Sequence, residues 1–191
     1  MRFSRYTKMF SVTVVALMLA ACATGGDGTS DAADGVGDVA RDPSPMHYVK
    51  LSEGPCFGAC PVYDLTIRGD GRITFHGNRF SKLSGQHLAQ RSVGQFLEVL
   101  ETLRMQKFTE LDGAYDRMSC KMPATDHPTV TIEVRTAEIN KSVQWYTGCR
   151  GFEDRRKLER LVDELRRVMD VDEFIGTDAE RDAMRNKRRS K

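Results

Sequence analysis

From residue 46 to residue 90 apolar and polar positions alternate with a period of two, the mark of strands that bury one face. Val49 and Leu51 share a side within residues 46–52, and Tyr63, Leu65 and Ile67 alternate with Val62, Asp64 and Thr66 over 62–68. Gly69-Asp70-Gly71 then leads into Arg72-Ile73-Thr74-Phe75-His76, a good hairpin signal. A second turn is predicted at Gly77-Asn78, with residues 79–82 continuing and 85–90 forming a polar edge strand. The period then becomes helical. Ser92 with Gln95 three residues on reads as a capping box, followed by Val93, Phe96, Leu97, Leu100 and Leu103 as a stripe, with Phe108 and Leu111 docking the far end. Residues 112–128 form a long irregular connection, and a loop of that length is usually functional or stapled. Val130, Ile132 and Val134 alternate with Thr131, Glu133 and Arg135, and residues 141–147 supply a partner strand ending at Gly148-Cys149. A second amphipathic helix spans 153–169, with Leu158, Leu161, Val162, Leu165 and Val168 inward and Asp163 paired with Arg167; Phe174 and Ile175 pin its end. The order predicts an α+β domain: an antiparallel sheet, built from a meander plus a second hairpin, with two amphipathic helices packed on one face.

The ends of the chain are different in kind. Arg2, Arg5 and Lys8 precede an apolar run from residue 9 to residue 21, too short for a spanning helix and suited to an export signal. Leu19-Ala20-Ala21-Cys22 resembles the bacterial lipobox, which implies cleavage before Cys22, a diacylglycerol on its thiol and an acyl group on the new amino terminus. Several acyl chains, each methylene contributing about 0.8 kcal/mol, hold a protein on a membrane essentially permanently. Ala23 rather than Asp follows the cysteine, the pattern of sorting to the outer membrane. Residues 22–45 contain five Asp and almost nothing large and apolar, so they read as a flexible tether. The predicted organisation is a signal peptide over 1–21, the tether over 22–45, one domain over 46–175 and a basic tail over 176–191.

Charge follows from this division. The full chain carries 29 basic and 27 acidic residues; losing residues 1–21 removes three basic ones and takes the net charge from +2 to −1. The basicity is thus mostly that of the signal. An envelope address excludes nucleic acid as a partner, while the cluster from Arg181 to Lys191 is a solvated end with the option of touching anionic headgroups or peptidoglycan.

Apart from Cys22 the chain has Cys56, Cys60, Cys120 and Cys149, an even number in an exported domain, which predicts two disulfides rather than zinc. Three connectivities are possible. Gly58 and the flanking Pro55 and Pro61 favour Cys56 with Cys60; a hairpin turn between Glu138 and Ile139 would place Cys149 opposite Pro128, near the loop that carries Cys120. A redox enzyme would want Cys-x-x-Cys at a helix N-terminus, whereas this spacing is one longer and opens a strand. No Gly-x-Ser-x-Gly, phosphate loop, dinucleotide fingerprint or His-Glu-x-x-His is present, and the four histidines have no ligand spacing. No metal or cofactor is expected. The candidate binding residues are Phe57 and Tyr63 beside the cysteine turn, with Tyr115, Asp126 and His127 from the long loop, where Asp116 helps to form a cleft.

The run Gly54-Pro55-Cys56-Phe57-Gly58-Ala59-Cys60-Pro61-Val62-Tyr63, followed by Leu65, Ile67, Asp70-Gly71 and Phe75, resembles the bacterial domain family DUF6438. Thr125-Asp126-His127-Pro128 and Gly148-Cys149 match further elements seen in that family, and the similarity spans about residues 48–169. The resemblance implies an architecture and a lipoprotein setting, with no assigned chemistry. The expectation is a lipid-anchored envelope protein, facing the periplasm, whose non-catalytic domain binds an envelope protein or peptidoglycan. The alternative is an envelope enzyme, thiol-disulfide or hydrolytic, using the Cys56 and Cys60 turn or the Asp126 and His127 loop.

Overall fold

The computed structural model describes residues 44–189; the predicted signal peptide, Cys22 and nearly all of the tether lie outside the described residues. Three strands open the fold: β1 (Tyr48–Glu53), β2 (Val62–Arg68) and β3 (Arg72–Arg79). They are followed by β4 (Gly85–Gln90) and α1 (Val93–Met105). After a 3-10 turn (Phe108–Glu110) come the two-residue strands β5 (Ala114–Tyr115) and β6 (Met122–Pro123). The second hairpin is β7 (Thr129–Arg135) and β8 (Asn140–Tyr146), with β9 (Cys149–Arg150) beyond it. The chain ends in α2 (Arg155–Val168), α3 (Val171–Ile175) and α4 (Asp178–Arg189).

The predicted meander and hairpin are one sheet, because β1 pairs on its other side with β7, from Tyr48 opposite Arg135 to Glu53 opposite Val130. The strand order is β4-β3-β2-β1-β7-β8-β5, antiparallel throughout except for the short parallel pairing of β5 with β8. A separate small ribbon joins β6 to β9. Gly71, at φ 81°, follows the Gly69-Asp70 turn in the left-handed region that this hairpin requires, and its N–H donates to the Arg68 carbonyl at 2.9 Å.

Alternation sorts the sheet into two faces. Val49, Leu51, Tyr63, Leu65, Ile67, Ile73, Phe75, Val130, Ile132, Val134, Val143 and Trp145 are buried, and they form one core with Phe96, Val99 and Leu103 of α1 and the predicted stripe of α2. The alternate positions are half-buried or exposed. Helices therefore cover one face and leave the other open. No helix among the described residues is long and apolar enough to cross a membrane.

Four local readings change. Gly77 is not a turn: β3 runs through it, since a Cβ there would lie 2.1 Å from the Leu83 carbonyl oxygen, and close strand approach is what needs the glycine. Half of the capping box forms. Ser92 Oγ accepts from the Gln95 N–H at 3.1 Å, but the Gln95 amide reaches instead to the Val168 carbonyl at 2.7 Å and to Asp170, tying α1 to the end of α2. The α1 stripe is rotated, burying Val99 while Val93 and Leu97 stay partly in water, because α1 meets α2 as well as the sheet. Arg167 pairs with Glu164 and Glu98, and Asp163 faces Arg166 at 3.8 Å, because pairs three apart share the outer surface of α2.

The basic end is helical over Asp178–Arg189. Thr177 Oγ1 accepts from the Glu180 N–H at 3.3 Å while Glu180 Oε2 accepts from the Thr177 N–H at 2.8 Å, a full capping box at Thr177-Asp178-Ala179-Glu180. The same Glu180 pairs with Lys82 at 3.1 Å, fastening this helix to the β3–β4 connection.

Candidate functional site: the disulfide-stapled pole and the open sheet face

Glu53 ends β1, and beyond it the chain makes the cysteine turn before Val62 opens β2. Cys56 and Cys60 are disulfide-bonded with their Cα atoms 5.9 Å apart, closing a loop with a sequence separation of only 4. The loop is tied on both flanks. The Gly54 N–H donates to the Thr129 carbonyl at 2.8 Å and the Phe57 N–H donates to the Asp126 carbonyl at 3.3 Å. Phe57 is left 88% exposed on this cross-linked scaffold.

The second staple joins Cys120 to Cys149, with Cα atoms 5.3 Å apart. The β7–β8 register puts Thr129 opposite Tyr146, so the hairpin centres between Ala137 and Glu138, one residue before the expected point, and Cys149 pairs with Pro123 in the β6–β9 ribbon instead of with Pro128. Asp116 Oδ1 accepts from the N–H groups of Ser119 and Met118 at 2.9 Å each; the Ser119 N–H and hydroxyl first, and then the Met118 N–H, hold its carboxyl below the ordinary value. Met118 at 92% and Met122 at 62% exposure project from this loop. The two stapled loops thus meet at the bond between Phe57 and Asp126 and carry three strongly exposed apolar side chains between them.

The candidate residues separate into two groups. Phe57, Asp126 and His127 come together. Asp126 takes the left-handed region at φ 69°, with its carboxylate bound to the Thr125 hydroxyl at 3.0 Å. The His127 ring lies edge-on to Tyr146, centroids 6.5 Å apart, and the Tyr146 hydroxyl donates to the Ala124 carbonyl at 2.7 Å, locking the loop to β8. Tyr63 and Tyr115 do not join them, and Tyr115 leaves the expected cleft, because both rings point into the core. Tyr115 donates to Asp154 at 2.7 Å; burial first, and then that carboxylate, raise its pKa. Tyr63 donates to Glu53 Oε1 at 2.6 Å, and its pKa is raised well above normal by burial and then by the Glu53 charge. Glu53, itself buried, also accepts from Arg166 Nε at 2.8 Å and Nη2 at 2.5 Å. This network anchors the end of β1 to α2 directly beneath the cysteine turn.

The open face adds residues that sequence reasoning missed. A groove of about 330 Å³ runs along it, lined by Ser52, Asp64, His76, Asn78, Thr131 and Gln144. Register explains the row: Ser52 lies opposite both Asp64 and Thr131, Asp64 opposite His76, and Thr131 opposite Gln144. The Ser52 hydroxyl donates to Asp64 Oδ1 at 2.6 Å and Lys50 Nζ lies 3.0 Å from the same oxygen. Partial burial pushes the Asp64 carboxyl up, but these two partners outweigh it and hold it below its ordinary value. Each of these residues occupies a polar position of an alternating run, which was the available signal. Their alignment across strands was not legible without the register.

A mostly antiparallel sheet with one helical layer, one open polar face and two disulfide-stapled loops at one pole defines a disulfide-stapled α+β domain. The chain belongs to the DUF6438 family, a domain of unknown function, which matches residues 47–168. No curated protein matches the chain.

Proposed function

We propose that this chain is a lipid-anchored protein of the cell envelope, held by acyl chains on Cys22, whose DUF6438 domain is a non-catalytic interaction module that binds another envelope protein through its stapled pole. The observation that carries this reading is the exposure of Phe57 on a loop fixed by Cys56–Cys60 and by Asp126. An aromatic ring held in water by a rigid backbone is costly for an isolated domain and useful at an interface. Aromatic anchors carry much of the energy of protein contacts, and a loop already ordered before binding loses little entropy on association. Met118 and Met122 beside it supply adaptable apolar surface. The cysteine turn opens a strand instead of a helix, which favours a structural bridge over a reactive thiol pair. The six residues of β1 separate Tyr48, where the sheet begins, from the stapled loops by about 17 Å.

The test is photo-crosslinking in living cells, with a photoactivatable residue at position 57 of the full-length chain and a control at position 105, an exposed residue of α1. A discrete protein adduct at 57 that is missing at 105 is expected. Equal adducts at both positions, or none at 57, would overturn the proposal for the pole. Metabolic labelling with a palmitate analogue, lost in Cys22→Ser, checks the anchor separately.

A further inference from the structure

The free edge of the sheet at β4 differs from the protected edges that isolated domains usually have. Edge strands are normally blunted by charge, proline or a bulge, because their outward N–H and C=O groups pair readily with another strand. β4 reads Gly85-Gln86-His87-Leu88-Ala89-Gln90, with no charged residue and no proline, in a chain of which 29% is charged. Its pairing with β3 is regular over all six residues. Leu88 is 74% exposed.

The ladder fixes which backbone groups are free. The Arg91 N–H donates to the Gly71 carbonyl at 2.9 Å, so odd-numbered residues of this strand bond inward to β3. In an antiparallel ladder the alternate residues then point their N–H and C=O groups away. Those residues are Gln86, Leu88 and Gln90, and no strand among the described residues lies on that side. The Gln90 carbonyl receives a long bond from Arg91 at 3.4 Å; the others have no protein partner in the ladder.

We infer that β4 is a self-association edge, at which a second copy of this chain adds its own β4 antiparallel to the first and continues the sheet. The strand is complementary to itself. Pairing centred on Leu88 places Leu88 against Leu88 and Gln86 against Gln90 twice, and these residues are the ones whose backbone groups are free, so about six N–H to C=O bonds close across the dyad. His87 then faces Ala89 and Gly85 faces Arg91, so no like charges meet. Arg91 is already occupied on the helical side by Glu173 and Asp170. The two copies' β1 strands run in opposite directions in this arrangement, which leaves both Phe57 loops open; the inference is independent of what those loops bind.

The experiment uses the full-length chain, purified in detergent, and reads its mass by sedimentation velocity from about 1 to 200 μM, a range that spans the affinities of weak transient association. A concentration-dependent dimer is expected. Leu88→Lys sets two ammonium groups against each other at the dyad and should weaken dimerisation at least about tenfold, while far-UV circular dichroism stays unchanged because the side chain is exposed. Register is tested with Leu88→Cys, whose thiols face each other and should form a disulfide-linked dimer. Gln86→Cys should not, since its two copies lie about 14 Å apart along the strands. A mass that stays monomeric throughout, a dimer indifferent to Leu88→Lys, or equal cross-linking at 86 and 88 would each overturn the inference.

Discussion

Truncating Arg166 to alanine removes the cation from a buried carboxylate. Among the described residues Glu53 is the one charged residue in the core, 4% exposed, and three donor groups converge on its Oε1: the Tyr63 hydroxyl, Arg166 Nε and Arg166 Nη2. Breaking a buried pair by deleting one partner costs about 3–5 kcal/mol, because the remaining charge stays desolvated. Arg166 keeps 38% of its side chain in water, so solvent reaches the vacated space and screens part of the loss. The expected destabilisation is therefore about 2–3 kcal/mol, or about 6–9 °C in Tm for a domain of this size. Tyr63→Phe deletes a single hydrogen bond to a charged acceptor and should cost about 1.5–2 kcal/mol. Both changes act on one oxygen, so the double variant should lose less than the sum. Urea unfolding followed by circular dichroism at pH 7 gives all three values, and Arg167→Ala, an exposed neighbour, should stay within about 0.5 kcal/mol of the parent. A loss below about 0.5 kcal/mol for Arg166→Ala, or strict additivity with Tyr63→Phe, would refute the assignment of the network as a stabilising unit.

Three further outcomes are expected. Tyr63 and Tyr115 are held protonated by burial and neighbouring carboxylates, so their contribution is fully present below the unfolded tyrosine pKa of about 10 and is lost as pH rises beyond it; the urea midpoint should fall above about pH 10, less steeply in Tyr63→Phe, and a flat profile there would contradict the burial. Replacing Cys120 and Cys149 together by serine should cost about 3.5 kcal/mol, against about 2 for Cys56 and Cys60, since their loops differ in sequence separation as 29 to 4; the reverse order in urea unfolding would show that chain entropy does not govern these bridges. Gly77→Ala should destabilise by about 2 kcal/mol or more, because its Cβ would meet the Leu83 carbonyl oxygen at 2.1 Å and the Phe75 ring at 2.9 Å; an unchanged Tm would mean that the β3–β4 connection yields freely.

Sequence alone determined whatever is carried by neighbours. The period of two in 62–68 gave β2 its full extent, and the 3.6 period gave α2 the five residues it buries, because side-chain direction in a strand or helix follows from local backbone geometry. The cysteine turn was legible for the same reason: Cys56, Gly58 and Cys60 lie close enough in the chain to close on themselves. Tertiary structure decided what depends on residues far apart. Pairing β1 with β7 merged two hairpins into one sheet, and only that register aligned Ser52, Asp64, His76, Thr131 and Gln144 along a groove. Glu53 finds Arg166 across a sequence separation of 113, and Tyr63 and Tyr115 turn inward with their hydroxyls bound to buried Glu53 and half-buried Asp154. Gly77 reads as a turn until Leu83 packs against it. Periodicity states which face a residue occupies; strand order and register decide what that face meets, and those follow from burying all the apolar faces at once.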